Sequence, residues 1–410
     1  MDAVLYGEPG EMAVISSNTC LRTPQGEFCL REAEGVSIDG LTEPEAIPAS
    51  GRHSVILSFA PIPAGIHAVD FVEKEEGWTI WGVQLSKAEP YVYVPGFLQT
   101  RTVERSLSLP EPRLKAGKAI VNGYILGYDS KMRLDVVFRH SDWLLADDWG
   151  KTVKVRQDGS FHIETDLLVA GGAKLRINKA ELNLFLSPGE EMTVYIHLPR
   201  LSMSASHLLK DQYGEQQKAW FDGGEALLNT ELATWGYPLS LGADADFADE
   251  TKGLPNEAYD AFVQSRLEKY ETELKDDKRV GEAYKEYVSA NLQVNACVLQ
   301  GQHGRMPGKL DIPYARYGYD YVTYLQYVER DEGEMLDVWA DIKTARTVFR
   351  NSVKEERVTS DTRKSLSLIV QPEISTYVKE KIQAMQILSE RAKASKGYVI
   401  AELDTLVSGA

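Results

Sequence analysis

Near residue 200 the spacing of apolar residues changes from every second position to every third or fourth, and this switch constrains the 410-residue chain most. A period of two suits a strand with one buried face and a period of about 3.6 an amphipathic helix. A segment patterned for one cannot bury its apolar set as the other. Before the switch, short alternating runs are separated by Gly, Pro and Asp-Gly turn signals, among them Val55-Ile56-Leu57-Ser58-Phe59 and Thr79-Ile80-Trp81-Gly82-Val83-Gln84-Leu85. The second run predicts one face made of Thr79, Trp81, Val83 and Leu85. After the switch, Asn256 follows Pro255 and is placed to cap a helix whose stripe is Tyr259, Phe262, Val263, Leu267, Tyr270 and Leu274. Further helical stripes run through Tyr284, Tyr287, Val288 and Leu292, through Met335, Val338, Trp339 and Ile342, and through Val378, Ile382, Met385 and Leu388.

A chain of this length needs several cores. The expected fold class is multidomain β plus α: two antiparallel β-sandwich-like domains followed by an α-helical region. The stretch Leu109-Pro110-Glu111-Pro112-Arg113 has linker composition, because proline cannot donate to a sheet ladder and stiffens the chain. The predicted divisions are an N-terminal β-sandwich over 1–108, a linker over 109–114, a second β-sandwich over 115–200 and helices over 201–410.

Two turns decide what neighbouring strands can do. Cys20 and Cys29 flank Thr23-Pro24-Gln25-Gly26. A four-residue loop over 23–26 sets Cys20 opposite Cys29 and permits a disulfide. A three-residue loop over 24–26 sets Cys20 opposite Leu30, on the other face from Cys29, and Gly26 at its left-handed position favours this second register. In Lys151-Thr152-Val153-Lys154-Val155-Arg156, Gln157-Asp158-Gly159 and Ser160-Phe161-His162-Ile163, a three-residue loop closed by Gly159 pairs Val155 with Phe161 and Val153 with Ile163. Cys297, beside Val294 and Val298, reads as a small buried hydrophobe.

The net charge is −16, from 61 acidic and 45 basic residues, and such a field repels phosphate backbones, so nucleic acid is not an expected partner. No membrane span is expected, and Met1-Asp2-Ala3-Val4-Leu5-Tyr6 opens without the basic and apolar regions of an export signal.

The search for chemistry ends without a catalytic, cofactor or metal site. His53, His67, His140, His162, His197, His207 and His303 never fall at H-x-H or H-x-x-x-H spacing. No nucleophile elbow, phosphate-binding loop or dinucleotide fingerprint occurs. The acids Asp244, Asp246, Asp249 and Glu250 do not meet calcium-loop spacing, because Pro255 stands where a bidentate Glu is needed. Asp147 and Asp148, beside Trp149, are adjacent and project to opposite faces of a strand, so they cannot flank one glycosidic bond. The aromatic segment 314–321, with Trp78 and Trp81, offers stacking surface for a sugar or a partner, although core and inter-helix packing is the stronger explanation of such residues.

The segments Ser54-Val55-Ile56-Leu57-Ser58-Phe59-Ala60-Pro61-Ile62-Pro63-Ala64-Gly65, Val69-Asp70-Phe71-Val72-Glu73 and Gly77-Trp78-Thr79-Ile80-Trp81-Gly82-Val83 resemble the N-terminal β-domain of large TlpA-like thioredoxin proteins of Gram-negative bacteria. Val121-Asn122-Gly123-Tyr124-Ile125, Gln157-Asp158-Gly159-Ser160-Phe161 and Phe185-Leu186-Ser187-Pro188-Gly189-Glu190-Glu191 are similar to the transthyretin-like domain of that family. The resemblance implies an exported, periplasmic or cell-envelope protein, with a thioredoxin-like domain or its substrate protein as partner. The family's C-x-x-C motif is absent from the 410 residues, so no redox residue carries over. The expected role is a non-catalytic scaffold that positions a redox domain or its substrate. The alternative is a stand-alone extracytoplasmic protein that binds a glycan or peptide through exposed aromatics.

Overall fold

The computed structural model describes residues 1–394 apart from 42, 44, 75–76, 86–91, 102–103, 143–146, 207–208, 243–244, 313–322, 325–326, 329–333 and 356–358. The chain forms two compact units, Met1–Val92 and Tyr93–Ala410. Mixed β and α structure follows the order expected from the change of period.

The first unit contains strands β1 (Asp2–Tyr6), β2 (Val14–Ile15), β3 (Thr19–Thr23), β4 (Gly26–Glu34), β5 (Ser37–Ile38), β6 (Arg52–Phe59), β7 (Ala68–Glu73) and β8 (Trp78–Gln84). Six of them make one antiparallel sheet in the order β1-β6-β4-β3-β7-β8, and β2 pairs with β5. Its core gathers Leu21, Val36, Val55, Leu57, Val69 and Phe71.

The β3–β4 hairpin takes the register that turn chemistry disfavours: Cys20 lies opposite Cys29 and Leu21 opposite Phe28. Burial is the reason. Directly opposed residues share a face, and only this register sets Leu21, Phe28 and Leu30 together on the core side. Cys20 and Cys29 are joined by a disulfide. The single face expected along 79–85 is also re-phased. A bulge falls at Gly82 (φ 65°), whose N–H donates to Asp70 Oδ1 at 3.0 Å, so Ile80 opposes Phe71 and Val83 opposes Val69.

In the second unit the short helix α1 (Gly96–Gln99) precedes β9 (Gly117–Leu126), β10 (Asp135–Asp142), β11 (Asp147–Lys154), β12 (Ser160–Leu167), β13 (Gly171–Ile177), β14 (Ala180–Leu186), β15 (Glu191–His197) and β16 (Ala219–Gly223). They form two four-stranded sheets, β11-β10-β13-β14 and β12-β9-β15-β16, antiparallel except where β9 runs parallel to β15. Val121, Phe161 and Val194 from one sheet and Phe138, Leu175 and Leu182 from the other share a single core.

The hairpin expected across Gln157-Asp158-Gly159 is instead a passage between sheets. Gly159 adopts the left-handed conformation (φ 82°), but Val153 opposes Val136 in one sheet and Ile163 opposes Val121 in the other. Both apolar sets are buried by joining two sheets to one core, which a free hairpin could not do alone.

The region expected to be helical throughout contains β16, whose Ala219 and Phe221 enter that core. Around it lie α2 (Leu198–Ser204), α3 (Lys210–Tyr213), α4 (Ala226–Thr234), α5 (Ala245–Thr251), α6 (Asn256–Asp276), α7 (Glu282–Gln302), α8 (Glu334–Glu355), α9 (Ser360–Leu366) and α10 (Pro372–Ala394). Pro255, not Asn256, occupies the cap of α6, and the expected stripe is inward: Tyr259, Val263, Leu267 and Leu274 are buried. Helices α6 and α7 share one core with Leu109 and Phe185, and α7, α8 and α10 share another. Asp341 of α8 accepts the N–H groups of Val370 and Gln371, just ahead of Pro372 at the start of α10.

The stretch read as a linker over 109–114 lies within the second unit. Leu109 is buried among the helices, and Lys115 N–H donates to Leu168 O at 2.8 Å. Just before it, Ser106 is buried, and its N–H and hydroxyl both donate to Glu231 of α4. Glu231 also accepts from Gly281 N–H at 2.5 Å, and Ser106 Oγ accepts from Tyr284 N–H at 3.2 Å at the start of α7. A methyl group on Gly281 would meet the Ser106 backbone, which explains glycine there. Burial raises the Glu231 pKa, and its donors oppose that rise.

Candidate functional site on an exposed sheet face

Strand β9 alternates so that Ala119, Val121 and Ile125 are buried, which leaves Lys118, Ile120, Asn122 and Tyr124 for the outer face of the sheet. Gly123 fixes this phase. A Cβ there would lie 1.9 Å from Phe161 Cζ, because the Phe161 ring occupies the space under Gly123. Strand β15 alternates likewise, with Val194 and Ile196 fully buried and Tyr195 outward. The parallel pairing sets Tyr195 beside Tyr124.

Their rings stack with centroids 5.3 Å apart and planes 14° from parallel. Phe97 of α1 meets Tyr195 edge-on at 5.6 Å. Two contacts hold α1 in place: Leu98 is fully buried, and Arg101 just beyond the helix donates from Nη1 to Phe221 O at 2.7 Å and pairs with Asp222 at 3.4 Å. Tyr124 remains 41% exposed and Phe97 55%, so the platform is held from below and open above. Partial burial, with Tyr124 and Asp222 nearby, raises the Tyr195 pKa, so its hydroxyl stays protonated and can donate.

A polar row adjoins the rings. Asn122 Nδ2 donates to Glu191 Oε1 at 2.7 Å, and because a carboxylate only accepts, the Asn122 amide must turn Oδ1 toward His162. His162 Nδ1–H then donates to that oxygen at 2.8 Å. His162 Nε2 lies 3.3 Å from Glu164 Oε1, and Lys118 Nζ lies 3.5 Å from Glu164 Oε2. The face thus combines aromatic stacking surface with amide, imidazole and carboxylate groups on rigid strands. Such a set can recognise a ligand by stacking and hydrogen bonding.

Among residues weighed on sequence grounds, only His162 belongs to this face. His53 is buried against Gly35 O, His140 bonds Thr165 Oγ1 at 2.8 Å, His197 accepts from Arg200 N–H at the start of α2, and His303 stacks on Tyr259. Among the described residues, no three His, Cys, Asp or Glu side chains are grouped to hold a metal ion. Asp246, Asp249 and Glu250 lie in α5, with Glu250 paired to Arg266, whereas Asp147, Asp148 and Trp149 open β11. Burial pushes the Cys297 thiol up to about 11. Trp78 stacks on Phe71 in the first unit, and the segment 314–321 and His207 lie outside the described residues. No helix among the described residues is long and apolar enough to cross a membrane.

Tyr124, Tyr195, Phe97 and Arg101 were missed on sequence grounds. Alternation in Val121-Asn122-Gly123-Tyr124-Ile125 and in Val194-Tyr195-Ile196 turns both tyrosines outward. Their adjacency depends on a parallel pairing that no local pattern announces. No family model, curated protein or solved structure matches the chain.

Proposed function

We propose that this chain is a non-catalytic accessory module of an exported thioredoxin-like protein, in which the β units and helices position a redox domain or its substrate protein. The observation that carries the reading is the Cys20–Cys29 disulfide, since such bonds form and persist in the periplasm and outside cells and are reduced in the cytosol. The order of elements supports it: a β unit, a second β region in which two four-stranded sheets share one core, then helices, as in the resembling family. On this reading the paired sheets form a transthyretin-like sandwich and the first unit a sandwich-like N-terminal domain.

The test is cell fractionation with thiol trapping in the native host, followed by identification of cross-linked partners. The protein should be found in the envelope with Cys20 and Cys29 linked and a C-x-x-C polypeptide cross-linked to it. Free thiols in a cytosolic protein would refute the proposal.

A second reading is favoured by the stack of Tyr124, Tyr195 and Phe97: a binding protein for a glycan or peptide outside the cytoplasm.

A further inference from the structure

We infer that the outer face of the β12-β9-β15-β16 sheet is a binding site for a neutral oligosaccharide, with Tyr124 as the stacking surface and Asn122, His162 and Glu191 as hydrogen-bonding groups. The inference rests on the second reading above and names its ligand class.

Two observations select a sugar. Tyr195 covers one face of the Tyr124 ring while Tyr124 stays 41% exposed, so a rigid, half-open aromatic surface is available for the apolar face of a pyranose. Beside it the Asn122 amide is bound on both sides, to Glu191 and to His162, which fixes its orientation before any ligand arrives. Pre-oriented acceptors and donors one strand spacing apart suit the hydroxyl groups of a flat ring, and holding them on strands lowers the entropy lost on binding.

Charge selects neutrality. Lys118 meets Glu164 and Arg101 meets Asp222 within the face, so its cations are matched by carboxylates, and Glu191 adds negative charge. Acidic sugars would meet these carboxylates, and the protein as a whole carries −16.

The test is a printed array of neutral hexasaccharides of glucose, xylose, mannose, galactose and N-acetylglucosamine, with uronic acid oligomers and a random peptide library beside them, followed by calorimetric titration of the full chain. The inference expects a neutral hexasaccharide to bind, Tyr124→Ala to weaken it at least about tenfold, and Tyr124→Phe to leave it within about twofold. Asn122→Ala should weaken it too, with the melting temperature of every variant checked to show that the fold survives. Neutral sugars that fail to bind, or that bind equally well to Tyr124→Ala, overturn the inference. Peptides captured in place of sugars and lost with Tyr124→Ala overturn the ligand class and leave the second reading standing, whereas no Tyr124-dependent binding of any probe removes both.

Discussion

Glu231 is fully buried and makes a carboxylate the meeting point of three distant stretches: Ser106, its own helix α4 and the Gly281 turn ahead of α7. A buried charge is tolerated when every lone pair has a donor, and removing it strands those donors. Glu231→Ala should therefore destabilise the second unit by about 3 kcal/mol, measured by urea unfolding. Lys218 presents the opposite case. It is buried, donates to Gly214 O, and burial lowers its pKa from 10.5 to about 8. Between about pH 8 and 10.5 the unfolded chain binds the proton that the folded chain has released, so this group makes stability rise with pH across that window. At neutral pH the buried charge costs as much as roughly 3 kcal/mol. Unfolding titrations of wild type and Lys218→Met should differ in slope between pH 8 and 10.5 and run parallel below it. Equal slopes would show that Lys218 keeps an ordinary pKa. At this scale the sequence was legible where burial alone decided, as for Cys297. It misleads at Cys20, where the preference of Gly26 for a turn position points to one register and the shared face of Leu21, Phe28 and Leu30 imposes the other.

At the scale of elements, α4 shows how an edge is managed. Strand β14 ends its sheet, and Asn229 of α4 both accepts from Phe185 N–H at 2.7 Å and donates to Phe185 O at 2.9 Å, replacing a missing strand. Asn229→Leu keeps the bulk and removes both bonds, so it should cost about 2–4 kcal/mol and raise amide exchange at Phe185. Exchange that is unchanged would mean the edge is protected by other means. Helix positions followed from periodicity because each stripe reports a local 3.6-residue geometry, as in α6. Sheet membership did not. The runs 151–156 and 160–163 look like one hairpin, and only the shared core of two sheets shows that they part. Strand β16 was missed because Ala219-Trp220-Phe221 is too short to display a period. The candidate site fell between these cases: outward alternation was visible in β9 and β15, but the neighbour relation between them was not.

For the whole molecule the division after Val92 has a direct consequence. A fragment beginning at residue 93 retains Ser106 and Leu109 and should melt with the second unit of the intact chain. A fragment beginning at 115 loses both and should melt lower, by several degrees, with Glu231 left short of two donors. Equal melting of the two fragments would mean that 93–114 adds nothing to the stability of the second unit and would leave 109–114 as a linker. The sequence pattern gave the order β then α correctly because periodicity is read residue by residue, whereas the unit boundary depends on what Ser106 and Leu109 touch far along the chain. The proposed role, a scaffold working outside the cytoplasm, is tested most directly by intact-mass measurement of the protein alkylated without reduction as it leaves its own cells. The expected result is an envelope protein with Cys20 and Cys29 linked and Cys297 the only alkylatable thiol after unfolding; a cytosolic protein with three alkylated cysteines would contradict it.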